Sequence, residues 1–126
     1  MVDVERQVQY WRSSAAEDWS VAEHLVERGK SRHGLFFAHL AVEKLLKALV
    51  CRSTGDLAPR LHNLVRLAEL ARLQVDETQL DTLADLSVFN LAGRYPDASP
   101  VTPTQEEAAG NLERAREVVA WLTKKL

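Results

Sequence analysis

The sequence is poor in cysteine, glycine and proline, and it contains no long apolar run. Cys51 is the single cysteine among 126 residues, which excludes an intramolecular disulfide and a cysteine-based zinc site. One thiol fits a reducing compartment, so we expect a cytoplasmic protein. Charged residues interrupt the N-terminus, and no run approaches the ~18 apolar residues of a membrane span. We therefore expect neither a signal peptide nor a membrane segment.

The net charge is also low. Sixteen basic and eighteen acidic residues give a formal charge of −2, which excludes the strong overall positive field of proteins that hold nucleic acid by charge alone. The charge is uneven along the chain, because residues 52–72 are rich in arginine and residues 73–91 are acidic. Either these are two complementary helices, or an electropositive edge for phosphates is formed by Arg52, Arg60, His62 and Arg66.

Apolar side chains recur at helical spacing in five segments. These segments cover approximately residues 3–28, 33–52, 61–73, 80–91 and 104–122. Residues 92–103 hold three prolines and one glycine, which predicts a long loop, and Thr104 precedes Glu107 at capping-box spacing. The pattern predicts an all-α protein, an antiparallel up-and-down helical bundle of four long helices plus one short helix. We expect one domain over residues 1–126.

The second helical segment carries a polar stripe. His39, Glu43 and Lys47 follow one another at four-residue steps within the otherwise apolar stretch 36–50. A polar stripe inside a packing helix needs partners, which can come from a neighbouring helix, a second chain or a ligand. A self-contained ladder is an alternative, because Glu four residues before Lys is a favourable order. Further ligands at comparable spacing are lacking, so we expect no metal and no cofactor.

Several separated motifs resemble a known family, the HEPN (higher eukaryotes and prokaryotes nucleotide-binding) domain. They are the tryptophan-bearing first helix, AVEKLLKAL at 41–49, HNL at 62–64, RYPD at 94–97 and a closing amphipathic helix near Trp121. The resemblance spans roughly residues 8–125. It implies a bundle of four long helices and a short one, a homodimer, and a minimal nucleotidyltransferase as the partner in a toxin-antitoxin-like pair that acts on RNA or nucleotide.

Many HEPN proteins are metal-independent ribonucleases, whose signature is an arginine followed four to six residues later by a histidine. Arg94 opens the corresponding segment, but residues 95–101 contain no histidine, so the motif is incomplete. The usual imidazole for attack by the ribose 2′-hydroxyl is therefore missing there. Arg28 and His33 have this spacing, but they lie at the first interhelical turn, where a chance match is the better interpretation.

Candidate site residues follow from both arguments. The tentative catalytic set is Arg94, His39 and His62, and the residues expected to bind nucleotide, RNA or the partner protein are Glu43, Lys47, Arg94, Tyr95 and Asp97.

Binding without cleavage is the first hypothesis. An active endonuclease that uses Arg94 with His39 or His62 is the second, and a helical interaction module without a nucleic-acid role is the third. His62 also has a structural interpretation, as a bond to local backbone or to an adjacent helix. For the homodimer, outer apolar residues such as Leu35, Phe36 or Phe89 are candidates.

Overall fold

The computed structural model describes residues 1–94 and 102–126. Five helices follow one another in this part of the chain, and no strand occurs in it, which confirms the all-α prediction. Their bounds are α1, Val4–Glu27; α2, Ser31–Thr54; α3, Leu64–Leu70; α4, Glu77–Arg94; and α5, Gln105–Lys125.

Local side-chain and backbone chemistry fixes the ends of these helices. Asp3 caps α1 by accepting a hydrogen bond from the Arg6 amide at 3.1 Å. At the start of α5, the Glu107 amide donates to Thr104 Oγ1 at 3.1 Å and the Thr104 amide donates to Glu107 Oε1 at 2.9 Å, so the predicted capping box is confirmed. Gly55 ends α2 in the left-handed conformation, with φ of +70°.

Two helices differ from their predicted lengths. The helix expected over 61–73 is the shorter α3, because Asn63 caps its start and Arg72 takes a left-handed φ of 58° just beyond its end. The loop expected over residues 92–103 is wrong at its start, because α4 continues to Arg94. A single glycine at position 93 weakens a helix without ending it, and the proline restriction acts only on the residue immediately before position 96.

The central element is α2, which packs against each of the other four helices. It is buried on almost every side, and its core residues include Leu35, Ala38, Val42 and Leu46, each with no exposed surface. The suggested dimer contact through Leu35 is therefore wrong, because this side chain lies inside the subunit. No helix in the described ranges is long and apolar enough to cross a membrane.

Contacts at the two ends of the bundle give the helix directions. At one end, Gln105 Nε2 donates to the Val26 carbonyl at 2.6 Å, which joins the start of α5 to the end of α1. At the other end, Arg52 near the end of α2 donates to the Leu126 carbonyl at 2.8 Å and pairs with Glu5 at 3.0 Å. Helix α1 therefore runs antiparallel to both α2 and α5.

Candidate functional site

Glu43 is the centre of a polar cluster on α2. Its side chain is almost fully buried, and both carboxylate oxygens are engaged. Oε1 accepts from His62 Nδ1 at 3.0 Å, and Oε2 faces Lys47 Nζ at 3.1 Å. A buried carboxylate is costly unless it is paired and hydrogen-bonded, and these two contacts meet that need. The predicted polar stripe thus finds its partner in the loop before α3, within the same chain.

His39 fixes the backbone of that loop. Its imidazole is completely buried, and Nε2 lies 3.3 Å from the carbonyl oxygen of His62. Because a carbonyl only accepts, His39 donates through Nε2. Nδ1 faces Glu43 Oε1 at 3.8 Å, which is longer than a hydrogen bond. His39 and Glu43 therefore hold His62 at two points, one on its backbone and one on its ring.

Lys47 completes the cluster on the side of α1. Its side chain is almost entirely buried, and Nζ lies 5.2 Å from the ring centroid of Trp11, within cation–π range. The Lys47 charge therefore has two sources of compensation, the Glu43 carboxylate and the Trp11 ring. Residues 11 and 47 lie on different helices, so no local pattern could have indicated their contact.

His62 is the accessible member of the cluster. Its side chain is 51 % exposed, in contrast with the buried side chains of His39 and Glu43. Since a carboxylate accepts, Nδ1 of His62 carries a proton in this arrangement, and the neutral ring keeps a free lone pair on Nε2. A carboxylate that orients an imidazole in this way prepares it to accept a proton or, when charged, to donate one to a phosphate oxygen. His62 thus combines the predicted structural contact with chemical availability.

Three of the predicted site residues lie at or beyond the end of α4. Arg94 is the last residue of α4, but its side chain, Tyr95 and Asp97 lie outside the described residues. The sequence grouped these three with Glu43 and Lys47. The structure brings together only Glu43, Lys47, His39 and His62 within the ranges it covers.

The arginine-rich edge predicted for residues 52–66 is largely neutralised. Arg52 pairs with Glu5, and Arg66 pairs with Glu69 at 2.9 Å on the same helix. The alternative prediction is that the arginine-rich and acidic stretches form two complementary helices, but no ion pair joins α3 to α4 in the described ranges. Asp85 of α4 instead pairs with Arg114 of α5 at 2.8 Å. No group of three or more His, Cys, Asp or Glu side chains that could hold a metal ion occurs within residues 1–94 and 102–126.

Comparisons with known proteins place this geometry in a family. The HEPN domain family model matches residues 8–126. The crystal structure of the TT1696 protein from Thermus thermophilus is similar over 95% of this chain and 98% of that one, with a TM-score of 0.79 and 26% identity. The crystal structure of an archaeal HEPN homologue shares the fold over 94% of this chain and 96% of its own, with a TM-score of 0.73 and 21% identity. A comparison with curated proteins gave no significant match. Because the family model covers nearly the whole sequence, this chain belongs to the HEPN domain family.

Proposed function

We propose that this protein is the HEPN component of a nucleotidyltransferase–HEPN, toxin-antitoxin-like pair, and that it binds RNA or nucleotide and a minimal nucleotidyltransferase. The main observation behind this proposal is that the buried Glu43 carboxylate orients the half-exposed His62 ring, through a hydrogen bond of 3.0 Å between Glu43 Oε1 and His62 Nδ1. An exposed imidazole with its ring fixed and Nε2 available is suited to a phosphate oxygen or a ribose hydroxyl. Membership of the HEPN family supports the nucleotide part of the proposal.

The departure from the family's ribonuclease motif favours binding over cleavage. Residues 95–101 contain no histidine after Arg94. In the proposal, Arg94 contributes a planar cation for phosphate, and Tyr95 and Asp97 contribute to contact with the nucleotide or the partner protein. The functional unit is a homodimer in the cytoplasm, with a contact that involves partly buried aromatic residues such as Phe36 and Phe89.

The binding proposal is tested with His62→Ala and the matched control His24→Ala. Both histidines are exposed, and His24 lies in the last turn of α1, outside the hydrogen bonds and ion pairs of the cluster around Glu43. We expect His62→Ala to weaken binding of a labelled single-stranded oligoribonucleotide or of ATP by about tenfold, the equivalent of one charge-assisted hydrogen bond, while the control binds as the wild type does. Equal binding by all three proteins would contradict the role of His62.

Binding to the minimal nucleotidyltransferase is tested separately. The adjacent nucleotidyltransferase, where the genome encodes one, is co-expressed with this chain, and the complex is sized by light scattering after gel filtration. Co-elution in a defined stoichiometry is expected. Separate elution of the two proteins would remove the nucleotidyltransferase from the proposal and leave the nucleotide-binding part standing.

A second candidate function is metal-independent RNA endonuclease activity, and one observation favours it. His62, oriented by Glu43, is the imidazole base that the Arg94 segment lacks. In such a reaction, Nε2 of His62 removes the proton of a ribose 2′-hydroxyl, and the 2′-oxygen forms a bond to phosphorus. The bond between phosphorus and the 5′-oxygen breaks, and the leaving 5′-oxygen takes a proton from water. His39 is a positioning residue in this scheme, because it is buried against the His62 carbonyl.

Cleavage is assayed with total RNA in EDTA, using the wild type, His62→Gln, Arg94→Ala and His24→Gln. If the second candidate is right, discrete fragments appear with the wild type and His24→Gln and disappear with the other two variants. Intact RNA in every lane leaves the binding function alone.

A further inference from the structure

A cationic cavity lies at the turn between α1 and α2, and none of its described lining residues belongs to the polar cluster around Glu43. It has a volume of ≈ 540 Å³ and is open to solvent. Lys30, Arg32 and His33 line it together with the apolar side chains of Leu25 and Phe37. We call these three polar side chains the basic turn. Each of the four other described surface grooves is lined by a single basic side chain, an arginine or a histidine.

The chain holds the basic turn in a defined geometry. Gly29 adopts a φ of +78°, which allows the tight reversal from α1 into α2. On the far side, Gln105 Nε2 donates to the Val26 carbonyl at 2.6 Å, so the start of α5 is tied against the end of α1. The turn is therefore held between the end of α1 and the first residues of α2. The backbone that bears Lys30 and Arg32 has a defined position.

The positive charge of the basic turn is not neutralised within the described residues. Lys30 and Arg32 form no ion pair there, whereas Arg52, Arg66 and Arg114 each have a carboxylate partner. The turn also lies at the N-terminus of α2, where the helix dipole is positive and where Lys30 makes no side-chain capping bond. Cations at a helix N-terminus raise the local potential further, and a bound anion would offset both contributions.

We propose that the cavity at the basic turn binds the phosphate groups of single-stranded RNA. Lysine and arginine supply phosphate contacts, and an aromatic side chain in the same cavity supplies a surface against which a base can stack. This inference rests on the proposed function, since it names a place where the RNA is held. It also assigns a binding role to residues 28–33, which stood out in the sequence only because Arg28 and His33 have the spacing of the ribonuclease motif. The phosphate of a free nucleotide has the same chemistry, so the experiment separates the two sources.

The test measures binding of a short fluorescein-labelled single-stranded oligoribonucleotide by anisotropy over a range of salt concentrations. Lys30→Ala/Arg32→Ala is compared with Lys124→Ala/Lys125→Ala, which removes the same charge from exposed positions at the opposite end of α5, about 30 Å away. Loss of two phosphate contacts should reduce the slope of log K against log salt by about 1.4 and weaken binding at least about tenfold at low salt. The control pair should leave the slope within about 0.3 of the wild type.

A second variant guards against a folding defect. Arg32→Glu places an acid in the first turn of α2, which suits the helix dipole and preserves the helix, while it reverses the charge in the cavity. It should weaken RNA binding at least as much as the double alanine variant and retain the wild-type circular dichroism and melting temperature. Wild-type RNA affinity in Arg32→Glu would overturn the proposal.

The possible failures are distinguishable. If the wild type binds RNA and both double variants bind it equally, the basic turn is not the site, and the proposed function survives. If the wild type binds neither the oligonucleotide nor ATP, this inference and the nucleotide part of the proposed function fail together. If the basic-turn variants lose ATP binding and keep RNA binding, RNA is overturned as the source of the phosphate.

Discussion

Breaking the buried ion pair between Glu43 and Lys47 should have a large and strongly coupled effect on stability. The two charged groups are 3.1 Å apart, and their side chains are 4% and 7% exposed. At an effective dielectric constant of about 20, Coulomb's law gives an attraction of about 5 kcal/mol at this distance. Removal of one partner from a buried pair costs about 3–5 kcal/mol, because the remaining charge has lost its compensation.

We therefore expect Glu43→Gln and Lys47→Met each to lower the free energy of unfolding by about 3–5 kcal/mol. For a chain of 126 residues, an unfolding entropy of about 2.1 cal/mol/K per residue converts this loss to a fall in Tm of roughly 11–19 °C. The double variant should be more stable than either single variant, because it contains no unpaired buried charge. This outcome corresponds to a coupling energy of at least about 3 kcal/mol, because the double variant then loses less than either single variant.

Urea denaturation followed by circular dichroism measures these values, provided that the m-value stays constant across the set. The exposed pair Arg66–Glu69 provides the matched control, since its side chains are 56% and 59% exposed. Glu69→Gln should change the unfolding free energy by less than about 1 kcal/mol. Single substitutions at 43 and 47 that cost no more than this control, or that simply add in the double variant, would refute the assignment of a buried, mutually dependent pair.

Two further predictions concern packing and the thiol. A Cβ atom at Gly34 would lie 2.5 Å from Val26 Cγ2 and 3.0 Å from the Val26 amide nitrogen. Gly34→Ala should therefore lower the free energy of unfolding, measured by urea denaturation, by about 1–3 kcal/mol. A Cβ atom at Gly110 would have nothing within 4 Å, so Gly110→Ala should raise the free energy of unfolding by about 0.5–1 kcal/mol. Burial raises the pKa of the Cys51 thiol above 9.0. The folded state then holds this proton more tightly than the unfolded state, so the unfolding free energy should fall as pH rises above 9.0, and Cys51→Ala should remove that part of the fall. An equal pH profile in the alanine variant would contradict the prediction.

Much of the fold could be predicted because its signals are local. Helical periodicity and capping chemistry act over three or four residues, and they located α1, α2 and α5 to within a few positions. The shortness of α3 was harder to predict, because the apolar spacing continues through residues 61 and 73 while Asn63 and Arg72 end the helix. Competing local bonds there override the apolar pattern.

The site could be predicted only in part. The stripe of His39, Glu43 and Lys47 is visible in the sequence, and its need for partners follows from the cost of buried charge. The identity of the partner could not be predicted, because His62 lies in a loop before α3 and no periodic sequence pattern indicates where a loop runs. The cavity at the basic turn could not be predicted from the sequence either. Its walls come from α1, α2 and Thr102, and the hydrogen bond that holds the end of α1 comes from Gln105 of α5, far along the chain.

The position of the polar cluster on α2 has a consequence for hydrogen exchange. This helix contacts the other four, so its central amides cannot open to solvent unless most of the bundle separates. We expect the amides around residues 42–48 to exchange only through global unfolding, as the most protected amides of the chain. The atoms that orient His62 therefore share the lifetime of the folded state, and an RNA or nucleotide would meet an imidazole that is already in place.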